Sequence, residues 1–287
     1  MSRVVGRFVR VKNELVGMLK SACLLVLIAS SPVIANDSAP IRLGIPPYLE
    51  RSQLETNFEP LRQQLEGFFV QGANFSFADD YDGFRQSISQ DHFDVVILSA
   101  FDYLHVKNDT RYLPVARFIG YQIINIVAAS GEVSSARDLR GKRVGFGSAS
   151  SPTTILGKLL LVDAGLSDSD YRQLTFPSFD ICLQRMLEDD VDACVTYQLG
   201  AKNFFAERKI SYRVLASSRI VPQPIILVKK ELAHKREALA GYLRSLNKDR
   251  EFKLTLGSGF PMDFVEVIHS DFEKIDSIYK SNQSLFD

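Results

Sequence analysis

Residues 143–166, RVGFGSASSPTTILGKLLLVDAGL, constrain the fold more than any other stretch. Val144-Gly145-Phe146 is a short apolar run that reads as a buried strand. Gly147-Ser148-Ala149-Ser150-Ser151 is a loop of small residues. A helical pattern then runs through Ile155, Leu156, Leu159, Leu160 and Ala164 to Gly165. Ser151 suits an N-cap, Pro152 the first helical position and Gly165 the C′ position. A strand that feeds a helix through so short a loop is half of a βαβ unit. Its apolar faces require neighbouring strands in a sheet with helices packed on it.

The same alternation recurs along the chain. Strand-like runs fall at 41–45, 74–78, 93–98, 113–117, 122–129, 174–176, 191–195, 212–216 and 225–228. Helical spacing falls at 58–69, 179–188, 199–208 and 235–246, with short helices opened by Asp79-Asp80-Tyr81-Asp82 and Ser99-Ala100-Phe101-Asp102. The pattern predicts an α/β protein with parallel sheets. About ten strands suit two smaller sheets better than one. The long strand after Tyr121 and the Pro222-Gln223-Pro224 break are the expected crossings. They divide the chain into lobe 1 (36–121 and 229–287) and lobe 2 (122–228). Ligands in such folds bind at the carboxyl ends of strands and between domains, where the 147–151 loop falls.

That loop has its own chemistry. A helix start leaves backbone N–H groups unpaired and carries about half a positive charge. Serine hydroxyls surround it, and no acid lies between Arg143 and Leu161. It is a candidate cradle for a phosphate, phosphonate, sulfate or carboxylate. No Gly-Lys-Ser/Thr follows, and only Gly145 and Gly147 are present, so neither a P-loop nor a dinucleotide fingerprint is formed. The competing local reading is an ordinary strand–loop–helix turn with a serine cap.

Charge excludes one class of partner. The 287 residues hold 34 Lys/Arg and 34 Asp/Glu. The first 35 contain five bases (Arg3, Arg7, Arg10, Lys12, Lys20) and one acid (Glu14), leaving 29 bases against 33 acids. Without a basic stripe, no nucleic-acid partner is expected. Residues 1–35 read as a secretory signal: a basic segment, the apolar run 22–29 and small residues up to Val33-Ile34-Ala35. Met18 is an alternative start. The apolar run is short for a membrane anchor. Export to the periplasm is the expected localisation. Cys182 reads as an early helix residue and Cys194 as a strand interior; although export permits a disulfide, two buried free thiols are expected. The four histidines lie far apart, so no metal site is expected, and no cofactor motif is present.

Several stretches together resemble the periplasmic phosphonate-binding proteins of ABC transporters. They are Ala78-Asp79-Asp80-Tyr81-Asp82-Gly83, the run DVVILSAFDY at 94–103, Gly120-Tyr121 before a hydrophobic strand, Asp138-Leu139-Arg140-Gly141-Lys142, Ala149-Ser150-Ser151 and Val191-Asp192-Ala193. The resemblance implies a two-lobed type II periplasmic-binding fold with a hinged inter-lobe cleft, without catalysis. Its ligand would be a small oxyanion (phosphonate, phosphite or phosphate-like), and its partner an ABC permease. The alternative output is a periplasmic sensor acting on a membrane signalling protein. A monomer is expected. Carried over residue by residue, Ser150 and Ser151 match the oxyanion loop, with Ala149 replacing a hydroxyl. Tyr81 and Tyr121 match cleft tyrosines. Asp180 matches a retained acid, with Phe179 before it where a His is frequent. Tyr48, Phe179 and Tyr197 are further cleft candidates. The acids that hold an ammonium in aminoalkylphosphonate binders are replaced by Leu199 and Gln223, which disfavours such a ligand. No nucleophile–base pair is found, so no enzyme activity is expected.

Overall fold

A computed structural model describes residues 39–108, 111–129, 131, 133–254 and 262–282. The secretory-signal reading of residues 1–35 lies outside them. No described helix is long and apolar enough to cross a membrane.

The first sheet holds β1 (Ile41–Gly44), β2 (Ala73–Ser76), β3 (Val95–Leu98), β4 (Tyr112–Phe118), β12 (Ile225–Lys229) and β13 (Phe264–Val265). Their order is β13-β4-β12-β3-β1-β2. The second holds β6 (Ile124–Ala129), β7 (Arg143–Phe146), β8 (Arg172–Thr175), β9 (Ala193–Tyr197) and β10 (Tyr212–Ser217), in the order β10-β6-β9-β7-β8. Between them in sequence, β5 (Tyr121–Gln122) and β11 (Val221–Pro222) pair as a two-stranded ribbon. The helices are α1 (Arg51–Phe68), α2 (Tyr81–Ser89), α3 (Ala100–Val106), α4 (Pro152–Asp163), α5 (Phe179–Leu187), α6 (Gln198–Arg208), α7 (Arg236–Ser245) and α8 (Ser270–Ser281).

The two sheets share one plan. In each, a central strand has a parallel partner on either side: β1 between β2 and β3, and β7 between β8 and β9. Each sheet then continues through antiparallel strands, so both are mixed rather than parallel throughout. Each central strand also carries an arginine clamped onto an aspartate next to the neighbouring strand. Arg42 donates from its backbone N–H, Nε and Nη2 to the Asp94 carboxylate, each at 2.9 Å. Arg143 repeats all three bonds to Asp192 at 2.6–3.0 Å. These forked bonds fix the register of parallel strands that no hairpin joins.

Two expectations are corrected. Strand β12 pairs with β3 and β4, so Ile225–Lys229 belongs to the first sheet, and the lobe 2 bound of 228 drawn from the sequence runs past the crossing at the β11 ribbon. The single long strand expected at 122–129 is broken into β5 and β6, because the chain leaves one pairing partner for another there. Helix α1 also begins well before Phe58; Leu54, Phe58, Leu61 and Leu65 form its buried face, and Pro60 is held within it.

The cysteine expectation is overturned as well. Cys182 and Cys194 form a disulfide with Cα atoms 6.1 Å apart. Cys182 points from the first turn of α5 onto β9, and Cys194 is the β9 residue that faces it within one buried cluster. The bridge passes over Gly145 of β7, where a Cβ would stand 2.2 Å from the Cys182 sulfur. Only glycine leaves that space.

Candidate functional site

The 147–151 loop and α4 form as their residues dictate. The Ser151 hydroxyl accepts from the Thr154 N–H at 3.2 Å and donates to the Thr154 hydroxyl at 3.0 Å, with Pro152 as the first helical residue. At the far end, Gly165 has φ +80°. Its N–H reaches the Val162 carbonyl at 2.9 Å, and the Leu166 N–H reaches Leu161 at 2.9 Å. This is a Schellman ending. Gly157 lets α4 lie close on the second sheet, since a Cβ there would meet Val195 at 2.5 Å. The helix start is thereby held beside the carboxyl ends of β7 and β9.

A cleft of about 800 Å³ opens at that point. The second sheet contributes Ser148, Ala149, Ser151, Thr153 and Ser178 to its wall. The first contributes Tyr48, Phe77 and Tyr81, with Glu50, Arg51, Asp79 and Asp80 among the polar lining. Asp80 is itself engaged as the N-cap of α2, accepting from the Gly83 N–H at 2.7 Å. Arg51 pairs with Asp79 at 3.3 Å and lies 5.5 Å over the Phe77 ring.

Three tyrosines, Tyr48, Tyr81 and Tyr197, sit together in this wall. Burial pushes all three phenols above their ordinary value, and Tyr48 and Tyr81 are pushed further by Tyr197. The Thr153 hydroxyl partly offsets burial at Tyr197. A phenol is already protonated near neutral pH, so all three stand as hydrogen-bond donors there, and burial carries their ionisation to still higher pH.

Beneath them lies a residue that sequence reasoning missed. Arg85 of α2 donates from Nε to Oδ1 of Asp102 at 3.0 Å and from Nη2 to the Ser150 carbonyl at 3.0 Å. Asp102 is buried, and its other oxygen accepts from the Ser99 hydroxyl at 2.6 Å. The first bond stays within the elements of the first sheet, while the second reaches the α4 loop of the second. Arg85 follows Tyr81 by four residues, so both lie on one face of α2; that spacing was the available signal.

The expected site residues divide. Tyr48, Tyr81 and Ser151 line the large cleft. Ser150 is not among its lining residues, and its carbonyl is taken by Arg85. Within the loop, the Ser151 N–H is bonded to the Ser148 carbonyl at 3.1 Å, whereas those of Ala149, Ser150 and Thr153 find no acceptor among the described residues. Tyr121 is 41% exposed and donates to Asp271 at 3.3 Å, with the Arg117 guanidinium 5.8 Å from its ring. It borders a second, smaller cavity rather than the large cleft. Asp180 lies outside the large cleft, in grooves beside Arg208 and beside Ser52 and Thr56. Burial raises its pKa, and Arg208 opposes the shift. Among the described residues no group of three or more His, Cys, Asp or Glu could hold a metal.

Comparison with known proteins gives a consistent picture. The family model described as the phosphonate periplasmic substrate-binding protein of ABC transporters matches residues 43–272. Among solved structures, the chain is similar to a binding-protein component of an ABC phosphonate transporter from Pseudomonas aeruginosa. That match has 14% identity and a TM-score of 0.73, and covers 86% of this chain and 88% of that one. It is also similar to PhnD1 from Prochlorococcus marinus in complex with methylphosphonate (12% identity, TM-score 0.71, covering 86% and 99%). A Xanthomonas citri protein bound to ATP matches at 12% identity and a TM-score of 0.67, covering 87% and 100%. At these identities the likeness is one of fold, that of two-lobed binding proteins.

Proposed function

Because this chain belongs to the phosphonate periplasmic substrate-binding family of ABC transporters, we propose that its cleft captures a small tetrahedral oxyanion of the phosphonate, phosphite or phosphate type. The family role is that of a non-catalytic periplasmic component that hands its ligand to an ABC permease. The finer reading rests on one observation. An acid-free helix start and three phenols, which are protonated at neutral pH, line the same cleft.

The chemistry follows from those donors. Loop N–H groups and the α4 dipole would face the anionic oxygens. Tyr48, Tyr81 and Tyr197 supply neutral O–H donors, which bind an anion without presenting a counter-charge that must itself be desolvated. Ser151 contributes by fixing the helix start, since its hydroxyl is engaged in the cap. Lobe closure would bring the two sets of donors onto one ligand, with Arg85 joining α2 to the loop. Similar structures in complex with methylphosphonate and bound to ATP support phosphorus oxyanions as the ligand chemistry.

Titration calorimetry against phosphate, phosphite, methylphosphonate, 2-aminoethylphosphonate and sulfate tests the reading. Saturable binding of at least one tetrahedral oxyanion is expected. Binding confined to neutral sugars or simple cations would remove it.

A further inference from the structure

The geometry points to a second compartment of the binding site, behind the tyrosines, that takes an uncharged organic substituent of the ligand. This inference rests on the oxyanion reading and adds what the anion is attached to. The compartment is a cavity of about 140 Å³. Tyr48, Tyr81, Phe179 and Tyr197 border both it and the large cleft, so a ligand held in the cleft would reach it by passing these side chains.

Its lining decides the chemistry. None of the bordering residues carries a formal charge. Phe58 and Ile97, both from the first core, close one side, and Leu199 stands at the start of α6. An ammonium placed here would be desolvated with no carboxylate to meet it, which is strongly unfavourable. A hydrocarbon group carries no charge to desolvate and gains burial against Phe58, Ile97, Ile123, Leu199 and Met262, while Ser99, Gln122, Gln198 and Gln223 keep part of the lining polar. The volume is also informative, because a cavity of about 150 Å³ with apolar walls accepts a benzene molecule. A phenyl ring or a chain of about four to six carbons therefore fits. Gln223 and Gln122 border the ribbon side and offer neutral hydrogen bonds there.

The experiment is calorimetry with a homologous series: methyl-, n-butyl-, phenyl- and 2-aminoethylphosphonate. Each buried methylene is worth about fourfold in affinity. Butylphosphonate should then bind roughly 60-fold more tightly than methylphosphonate, with 2-aminoethylphosphonate weaker than its uncharged counterparts. Leu199→Trp fills the compartment and should bring the butyl-to-methyl ratio close to one. Gln223→Glu provides an independent variant; it should lower the same ratio and shift preference toward the amine. Affinity that is flat or falls from methyl to butyl, or a ratio indifferent to both substitutions, overturns the second compartment while leaving the oxyanion site standing. Absence of binding by every member, methylphosphonate included, overturns both.

Discussion

The Cys182–Cys194 bridge leads to a prediction whose size follows from its place in the fold. The two cysteines are twelve residues apart in sequence and fully buried, joining the start of α5 to the middle of β9. Closing a loop of this length in the unfolded chain removes about 3 kcal/mol of chain entropy. For a domain of this size, each kcal/mol corresponds to roughly 2–4 °C, so reduction should lower the melting temperature by roughly 6–12 °C. The bridge also ties down a wall of the cleft. Ser178 and Phe179 stand at the α5 start, and Tyr197 ends β9. Gly145 supplies a second, independent reading. Gly145→Ala drives a methyl onto the Cys182 sulfur, which cannot retreat because the bridge fixes it at both ends. In a Cys182→Ala background that sulfur is absent, and the Phe176 ring, 2.9 Å away, still opposes the methyl. The two substitutions should therefore be non-additive by about 0.5–3 kcal/mol. The assay is circular-dichroism melting with and without reductant, with thiols counted in denaturant. Two titratable thiols in the unreduced protein lacking residues 1–35, or three in the full chain that also carries Cys23, would refute the bridge. An equal Gly145→Ala cost in both backgrounds would refute the packing argument.

Three other outcomes are expected. Ser151→Ala should lose about 1 kcal/mol of stability from the cap, whereas Ser151→Asp retains a cap but sets a carboxylate at the helix start; the Asp variant should melt near the parent and fail to bind oxyanions, and normal binding would exclude the loop as the anion site. Arg85→Met leaves the Asp102 carboxylate buried without its guanidinium and should cost about 3–5 kcal/mol. Arg85→Lys keeps the charge but not the fork, and should fold while binding more weakly, with a larger scattering radius at saturating ligand; an unchanged radius and affinity would show that the Ser150 contact plays no part in closure. Asp180 has a pKa raised by burial, so folding stability falls as pH rises from the unfolded value of about 3.9 through the folded one, and the penalty is complete above it. Asp180→Asn should melt higher than the parent at pH 7, with the gap closing toward pH 3; a gap independent of pH would contradict the assignment.

Much of the fold was legible because it rests on local periodicity. The buried β3 and β7 runs, the α4 caps and the switch from apolar runs to helical spacing are properties of a few adjacent residues. What escaped depends on residues distant in sequence. The transfer of β12 into the first sheet is decided by its pairing with β3 and β4, and its apolar run would suit either sheet. The common plan of the two sheets left no sequence repeat, because the Arg42–Asp94 and Arg143–Asp192 clamps need only two residues each. The disulfide depended on which face of α5 meets β9. Arg85 was passed over because an arginine on an amphipathic helix is ordinarily a solvated residue, and only the fold brings Asp102 and Ser150 to it.

The same distinction changes the reading of the loop. In sequence, its serine hydroxyls stand out as the donors for an anion. In the folded chain the Ser151 hydroxyl is committed to Thr154 and Ser150 is held through its carbonyl by Arg85. On the proposed reading, side-chain identity would serve mainly to shape the loop, and the N–H groups that shaping leaves unbonded would supply its recognition chemistry. Alanine at 149 is then no loss, because the backbone N–H survives the replacement of a hydroxyl by a methyl. The side-chain donors would come instead from the phenols that line the cleft from β9, the start of α2 and the loop after β1. Leu199 and Gln223, which replace acids in the sequence comparison, both border the smaller uncharged cavity next to those phenols. Ligand discrimination among such proteins would then lie less in the loop that holds the anion than in the residues behind the tyrosines.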